Sequence, residues 1–362
     1  MKIIKDNIYG FIQIEPIIQK IIDTYEFQRL RFIKQLGFTS FVFPGAQHTR
    51  FEHSLGVYHL TKIFLETIGK NTKIDEKLQR IISISGLIHD LGHVSFSHMF
   101  DHHIIPKIKN GVEHELRSIQ LFTKMNKKYN LGFTDIDLKL IGNIILGKVD
   151  KDYPLFVFQI IANKKNELDL DKIDYLMRDG YYLDKKATFD YKYLFNNTKI
   201  INGEIAYDVK TSFTILSLFN MRYELHKKFY NHKTVILYEV MVKDAIMAVF
   251  DRFDFEEIFS TDKWLYQLTD NFLFKLLEYP ESKDIIEKIF TRKLYKIAPK
   301  NYDGEMIKIS KHIGLTSHKQ NPILKINFFD KDDNMFNLDM TEISIFNLLH
   351  SYEIKEFNII RT

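Results

Sequence analysis

Nine of the chain's fourteen histidines lie between His48 and His114, and its 362 residues contain no cysteine. An even spread would put two or three histidines in that stretch. The missing thiols exclude disulfides, Fe–S clusters, thiolate zinc sites and thiol nucleophiles together. Any metal must then be held by His, Asp, Glu or other oxygen ligands. The fold has to gather imidazoles, and the apolar residues around them indicate the elements that do it.

Those apolar residues recur at helical spacing. Pro16 sits at a first helical position, followed by Ile17, Ile18, Ile21, Ile22, Tyr25 and Leu30. A loop containing Gly and Pro, Gly37 to Gln47, leads to a second helix through Ser54, Val57, Leu60, Ile63, Phe64 and Ile68, which Gly69 ends. A third runs from about Asp75 to Asp90, with Leu78, Ile81, Ile82, Ile84 and Leu87 inward. Further helices are expected near 113–129, 135–147, 165–179, 212–252 and 262–278. Strand signals are fewer. Asn202-Gly203 between β-forming residues predicts a hairpin over Lys199 to Tyr207. After Tyr279-Pro280, alternating runs such as Ile323 to Phe328 read as strands, with a turn at Asp330 to Asn334.

The chain thus reads as mainly α, with a helical core over residues 1–255, a small β-hairpin and a smaller α+β C-terminal lobe over 256–362. With 45% hydrophobic and 14% aromatic residues it can bury a sizeable core, which excludes disordered and collagen-like classes. The core carries a net +6 and the lobe −2. That mild excess favours a phosphorylated substrate and leaves nucleic acid open as a partner. No apolar signal segment follows Met1, and no run of 18 uncharged apolar residues occurs. A soluble, intracellular protein without a membrane partner is expected, with cytoplasm and nucleus not distinguished.

Four segments carry a metal constellation: Arg50-Phe51-Glu52-His53-Ser54, His89-Asp90-Leu91-Gly92-His93, His114-Glu115 and Asp169-Leu170-Asp171-Lys172. Adjacent helical residues point roughly 100° apart, so His89 and Asp90 can share an ion only near a helix end, which Gly92 supplies. Two imidazoles and two carboxylates suit Mn, Fe, Zn or Mg and leave positions for water and phosphate oxygens. Lone His59 and His350, on apolar helix faces, read instead as hydrogen-bonded core residues. The run Gly142 to Lys148 nearly fits a phosphate-binding loop, but it lacks the Ser or Thr for magnesium and follows a helical pattern. Gly147 reads as a helix stop.

Longer strings surround these segments: Phe27-Gln28-Arg29-Leu30-Arg31, Phe43-Pro44-Gly45-Ala46, His53-Ser54-Leu55-Gly56, Gly86 through His93, Phe96 through Asp101, and Asp171-Lys172-Ile173-Asp174-Tyr175. They resemble the HD phosphohydrolase superfamily, and within it the deoxynucleoside triphosphate triphosphohydrolases that also carry a sterile-alpha-motif domain. The resemblance runs from Met1 to at least residue 300. It implies an HD-domain helical core and a metal-dependent enzyme splitting dNTPs into deoxynucleoside and inorganic triphosphate. His53, His89, Asp90 and Asp171 would hold the divalent metal (Mn, Fe, Zn or Mg), with a further Mg on the triphosphate. His93 and His114 would stand beside the phosphate. His98, oriented by Asp101 and so able to be protonated near neutral pH, would be the general acid. Arg50, Lys172, Tyr175 and Arg222 would bind the triphosphate. Gln35 and Asp179 would bond the 3′-hydroxyl, while Leu36 and Tyr230 would fill the space of a ribose 2′-hydroxyl.

The same resemblance implies a second nucleotide site. Lys2, Asp23, Gln28, Arg31, Arg292 and Lys296 match residues with which this branch binds an activating GTP or dGTP at the interface of a homo-oligomer, dimer or tetramer. Lys5 stands where relatives carry Asn, and no sterile-alpha-motif domain is read in the chain. Two other readings are an HD enzyme acting on another nucleotide phosphate ester and a nucleotide-regulated nucleic-acid-binding protein.

Overall fold

Capping residues decide where the helices of the core begin. Thr49 and Glu52 form a capping box that opens the helix Arg50–Ile68. The Asp75 carboxylate accepts from the Leu78 N–H and opens Glu76–Ile88. The computed structural model describes residues 2–317, 321–338 and 352–362, so His318 and His350 lie outside the described residues. The two helices pack along each other, and Leu170–Tyr182 packs on the first. Val57, Leu60, Ile84, Leu87, Ile173 and Leu176 bury a common core between them. His114–Tyr129 and Asp135–Leu146 pack beside this layer. Gly147 ends the latter in the left-handed region (φ 61°), where a Cβ would strike the Ala162 carbonyl, so this run is a helix stop and not a phosphate loop.

Several expected elements are broken by side chains that compete for backbone groups. An N-terminal hairpin, Lys2–Asp6 with Gly10–Ile14, was not anticipated; the Asp6 carboxylate accepts from the Ile8 and Tyr9 N–H groups and Gly10 takes φ 77°. The first helix stops at Ile22, and Thr24 caps a new turn, Tyr25–Gln28. The expected 165–179 helix starts only at Leu170, after the cap Asp169. The 212–252 segment splits into Ser212–Leu225, a π-helical turn His226–Tyr230 and Lys233–Ala248, where His232 caps the last piece. The 262–278 segment is interrupted between Trp264–Gln267 and Phe272–Lys275.

The hairpin forms as expected, Thr198–Ile201 against Glu204–Asp208, with Ile200 opposite Ile205 and Asn202 and Gly203 both at positive φ. Its second strand pairs in parallel with Phe328–Phe329. The Ile323 to Phe328 run differs from expectation: Pro322–Lys325 is a 3₁₀ turn capped by Asn321, because Pro322 has no N–H to give a ladder. The Asp330 to Asn334 turn is present. Ile307–Gly314 pairs antiparallel with Tyr352–Ile360 and runs past the mouth of the cleft described below. The architecture is mainly α with small sheets. Among the described residues, no helix is long and apolar enough to cross a membrane.

Candidate active site

Four donors converge from three helices. His53 projects from Arg50–Ile68, Asp171 from the first turn of Leu170–Tyr182, and His89 and Asp90 follow directly on Glu76–Ile88. Because that helix ends at Ile88, the backbone relaxes and both neighbours reach one point. His53 Nε2 lies 3.0 Å from Asp171 Oδ1, 3.2 Å from His89 Nε2 and 3.6 Å from Asp90 Oδ2. His89 Nε2 is 3.5 Å from both Asp90 Oδ1 and Asp171 Oδ1. Metal bonds of about 2.1 Å at ordinary coordination angles put donors about 3.0–3.4 Å apart, so His53, His89 and Asp90 are gathered close to the size of a metal shell, with Asp171 beside the two imidazoles.

The tautomers strengthen that fit. His53 Nδ1 donates to Asp174 Oδ2 at 2.8 Å, and His89 Nδ1 donates to the Gly86 carbonyl at 2.9 Å. Both acceptors hold a proton on Nδ1 and turn the two Nε2 atoms toward each other, the arrangement in which a metal ion can take the place of an Nε2 proton. Burial would lower the His53 pKa, but Asp171 and Asp174 outweigh it and raise it to about 10. Burial would likewise raise the Asp90 carboxyl, yet Arg50 and the imidazoles hold it well below the usual carboxylate range. The carboxylates of Asp90, Asp171 and Asp174 thus surround the two imidazoles, a donor set that a divalent cation can occupy in place of imidazole protons.

Beside it stands a stack of imidazoles. His93 packs face to face on His114 with ring centres 3.8 Å apart, and His98 meets His93 edge-on at 5.1 Å. His93 is fully buried, neither ring nitrogen has a hydrogen-bond partner among the described residues, and Nε2 is 3.4 Å from Asp90 Oδ1. Burial, then Arg50 and His114, hold its pKa well below the usual histidine value. The pairing expected for Asp101 is corrected. Its carboxylate accepts from His114 Nδ1 at 2.8 Å and pairs with Arg117, because it turns inward from the short helix His98–His103 toward His114–Tyr129. It orients His114, not His98. The His98 ring is open to the cleft, but the surrounding walls desolvate it and Arg50, His114 and His102 repel a proton, which pushes its pKa down to about 3.

The donor set opens into a cleft of two lobes, about 470 and 690 Å³, that share Gln35, Arg50, His98 and Tyr175. The smaller lobe holds His89, Asp90, Asp171 and Lys172, and the larger reaches Leu36, Asp179, Arg222 and Tyr230. Both sizes suit small-molecule pockets. Arg50 pairs with Asp90 and donates to Ser97 Oγ at 3.1 Å, so its guanidinium is fixed at the junction. Burial would lower the Lys172 pKa, but Asp169 raises it, and the ammonium stays charged. At the far end, Asp179 accepts from Tyr230 Oη at 2.5 Å and bonds His48 Nε2 at 2.6 Å. The buried Gln35 Oε1 and Arg222 Nε have no partner among the described residues, leaving an acceptor and a donor for a ligand.

A family model for the HD domain matches residues 50–176, which enclose all four donors. The chain is 35% identical to an HD-domain-containing protein of Acanthamoeba polyphaga mimivirus, covering 92% of this chain and 86% of that one. The chain belongs to the HD-domain family. This HD-domain protein is also 37% identical to the deoxynucleoside triphosphate triphosphohydrolase SAMHD1 homolog of Dictyostelium discoideum, over 82% of this chain and 59% of the relative. With human deoxynucleoside triphosphate triphosphohydrolase SAMHD1 it shares 32% identity over 86% of this chain and 57% of the relative. The chain thus spans a little under three-fifths of these two relatives.

Behind the donors, three supporting residues, Asp174, Arg178 and Asp6, were missed in the sequence. Asp174 holds His53, and Arg178 bridges Asp174 (3.0 Å) and Asp6 (2.8 Å), all three buried. Asp171, Asp174 and Arg178 recur at helical spacing on one face, a signal that could have found the last two. His48 had no such signal, since only the fold brings it to Asp179. Lys2 pairs with Asp23 at 3.1 Å, and Arg31 Nε donates to Gln28 Oε1 at 2.8 Å. Arg292 donates to the Phe41 carbonyl at 3.1 Å, and Lys296 lies exposed on the strand Lys296–Ile297. His59 packs half-buried against Tyr9.

Proposed function

We propose that this chain is a metal-dependent dNTP triphosphohydrolase that releases deoxynucleoside and inorganic triphosphate. The observation that carries the reading is the pair of adjoining lobes, sharing Gln35, Arg50, His98 and Tyr175, that run from His89, Asp90 and Asp171, with His53 behind them, to the Asp179–Tyr230 end. A divalent metal on those donors supplies charge neutralisation and a more acidic water. The rest falls to the chain's own groups. In the reaction, water adds to the α-phosphorus, the bond to the 5′-oxygen breaks, and that oxygen leaves with a proton. Arg50, Lys172 and Arg222, with Tyr175, hold the triphosphate, and His93 and His114 flank the reacting phosphorus. His98 lines both lobes, where the 5′-oxygen would lie. It is neutral in the free protein, and the triphosphate's negative charge raises its proton affinity, so it protonates the leaving oxygen. Asp179 accepts the 3′-hydroxyl proton and the Gln35 amide bonds the hydroxyl oxygen, while Leu36 with Tyr230 occupies the space of a 2′-hydroxyl.

The test is chromatography of products from purified protein with manganese and each dNTP, or ATP, with and without GTP. Triphosphate and deoxynucleoside are expected from dNTPs. Monophosphate or diphosphate as the sole product overturns the reading. Tyr230→Ala should keep dATP turnover measurable while the dATP to ATP ratio of kcat/KM falls by about tenfold, because a ribose then fits. An unchanged ratio would remove Tyr230 from sugar selection.

The exposed Lys2–Asp23 and Gln28–Arg31 pairs support a second element of this reading, a guanine-nucleotide site that also draws on Arg292 and Lys296 from another subunit of a homo-oligomer. Asp and Arg complement the N–H donors and carbonyl of guanine. Activation by GTP, with a larger species in gel filtration, is the expected result. GTP-independent activity of an unchanged species counts against it.

A further inference from the structure

The HD-domain match ends at residue 176, yet a side chain far beyond it reaches the loop that precedes His98. Asp270 lies in the Leu268-Thr269-Asp270 stretch that interrupts the expected 262–278 helix. Its Oδ1 accepts from the Phe96 N–H and its Oδ2 from the Lys34 N–H, both at 2.8 Å. Three more bonds join the same segments. The Ser95 N–H donates to the Leu268 carbonyl at 2.9 Å, Ser95 Oγ to the Thr269 carbonyl at 2.8 Å, and the Asp270 N–H to the Phe32 carbonyl at 3.0 Å.

What is clamped is unusual backbone. Phe96 (φ 61°) and Ser97 (φ 54°) are consecutive non-glycine residues at positive φ, a conformation that persists only where its surroundings over-determine it. Ser97 is the N-cap of His98–His103, so its geometry sets the direction in which His98 leaves the chain. Ser97 Oγ donates to the Lys34 carbonyl at 2.9 Å and accepts from Arg50. Gly37, also at positive φ, lets the backbone approach Phe96 so closely that a Cβ would sit 3.2 Å from its carbonyl oxygen. One carboxylate thus ties the segment carrying Gln35 and Leu36 to the segment carrying His98.

We infer that Asp270 is a positioning residue that locks the Lys34–Gly37 and Ser95–His98 loops in register, so that His98 points at the leaving oxygen. The inference rests on the proposed hydrolysis. Asp270 touches no metal donor, so its effect falls on the chemical step and not on metal retention. Both carboxylate oxygens are needed, since an amide has only one oxygen to accept with.

Asp270→Asn in the full chain tests this, with Asn271→Ala, at an exposed neighbour, as control. Amide hydrogen exchange, read without substrate, should quicken by about tenfold or more at Lys34 and over Phe96 to His98 in Asp270→Asn alone. With dNTP, kcat should fall by about ten- to hundredfold while KM, bound manganese per chain and the thermal midpoint stay near the parent values. Unchanged exchange overturns the inference whether or not the parent hydrolyses dNTPs. So does a kcat loss matched by loss of metal or of folded protein, because that marks a structural role only. A parent without activity but with faster exchange in the variant retains the clamp and overturns the proposed function instead.

Discussion

Asp90→Asn is expected to reduce triphosphate release by on the order of 10³-fold or more. Asp90 is the hub of the centre: one carboxylate pairs with Arg50 and approaches His53, His89 and His93 within 3.6 Å. Asparagine keeps the shape and removes the charge. The loss of an anionic donor should lower bound manganese per folded chain at least tenfold, read by elemental analysis after gel filtration. The buried Arg50 also loses its counter-ion, which costs about 3 kcal/mol, so the unfolding midpoint should fall as well. Activity must therefore be scaled to folded protein. Full activity in a folded variant would show that these four residues are not the catalytic metal centre.

The largest stability effect is expected from Arg178→Met. Arg178 is fully buried and is the cation between Asp174 and Asp6. Removing it strands two buried carboxylates and should cost about 3–5 kcal/mol, read as a lower urea midpoint at pH 7. Gly56 shows how tightly the group is built, since a Cβ there would fall directly onto the Asp174 carboxylate and the Arg178 guanidinium. The pH dependence has a definite sign. Burial would raise the Asp174 pKa, but Arg178 and His53 lower it to about 2, below the usual value of about 3.9. A carboxyl depressed by folding contributes stability above about pH 4 and loses it as the pH falls from about 4 to 2. Without Arg178 the burial effect prevails and lifts the Asp174 pKa above its unfolded value, so protonation on acidification relieves the variant while it costs the parent. Parent and variant curves, followed by circular dichroism, should draw together below about pH 4. A gap that persists at pH 2 would exclude this ion pair as the cause.

The helical periodicity around the histidines located the core helices, and Asn202-Gly203 located the hairpin, because both signals are local. The breaks were less legible. Thr24, Asp169, His232 and Leu268 to Asp270 interrupt apolar patterns that continue through them, since a side chain competing for one backbone group leaves the hydrophobic period intact. The Ile323 to Phe328 run alternated like a strand, but Pro322 and the Asn321 cap turned its first residues into a 3₁₀ turn.

The sequence by itself determined the donor types. Without cysteine, a chain rich in clustered histidines with a His-Asp doublet at a helix end can build only an imidazole and carboxylate site. The tertiary structure alone decided who orients whom. Asp101 lies three residues from His98 yet serves His114, Asp270 reaches Phe96 across 174 residues, and His48 meets Asp179 across 131. Side-chain direction and helix packing choose a carboxylate's partner, and neither is encoded in spacing along the chain.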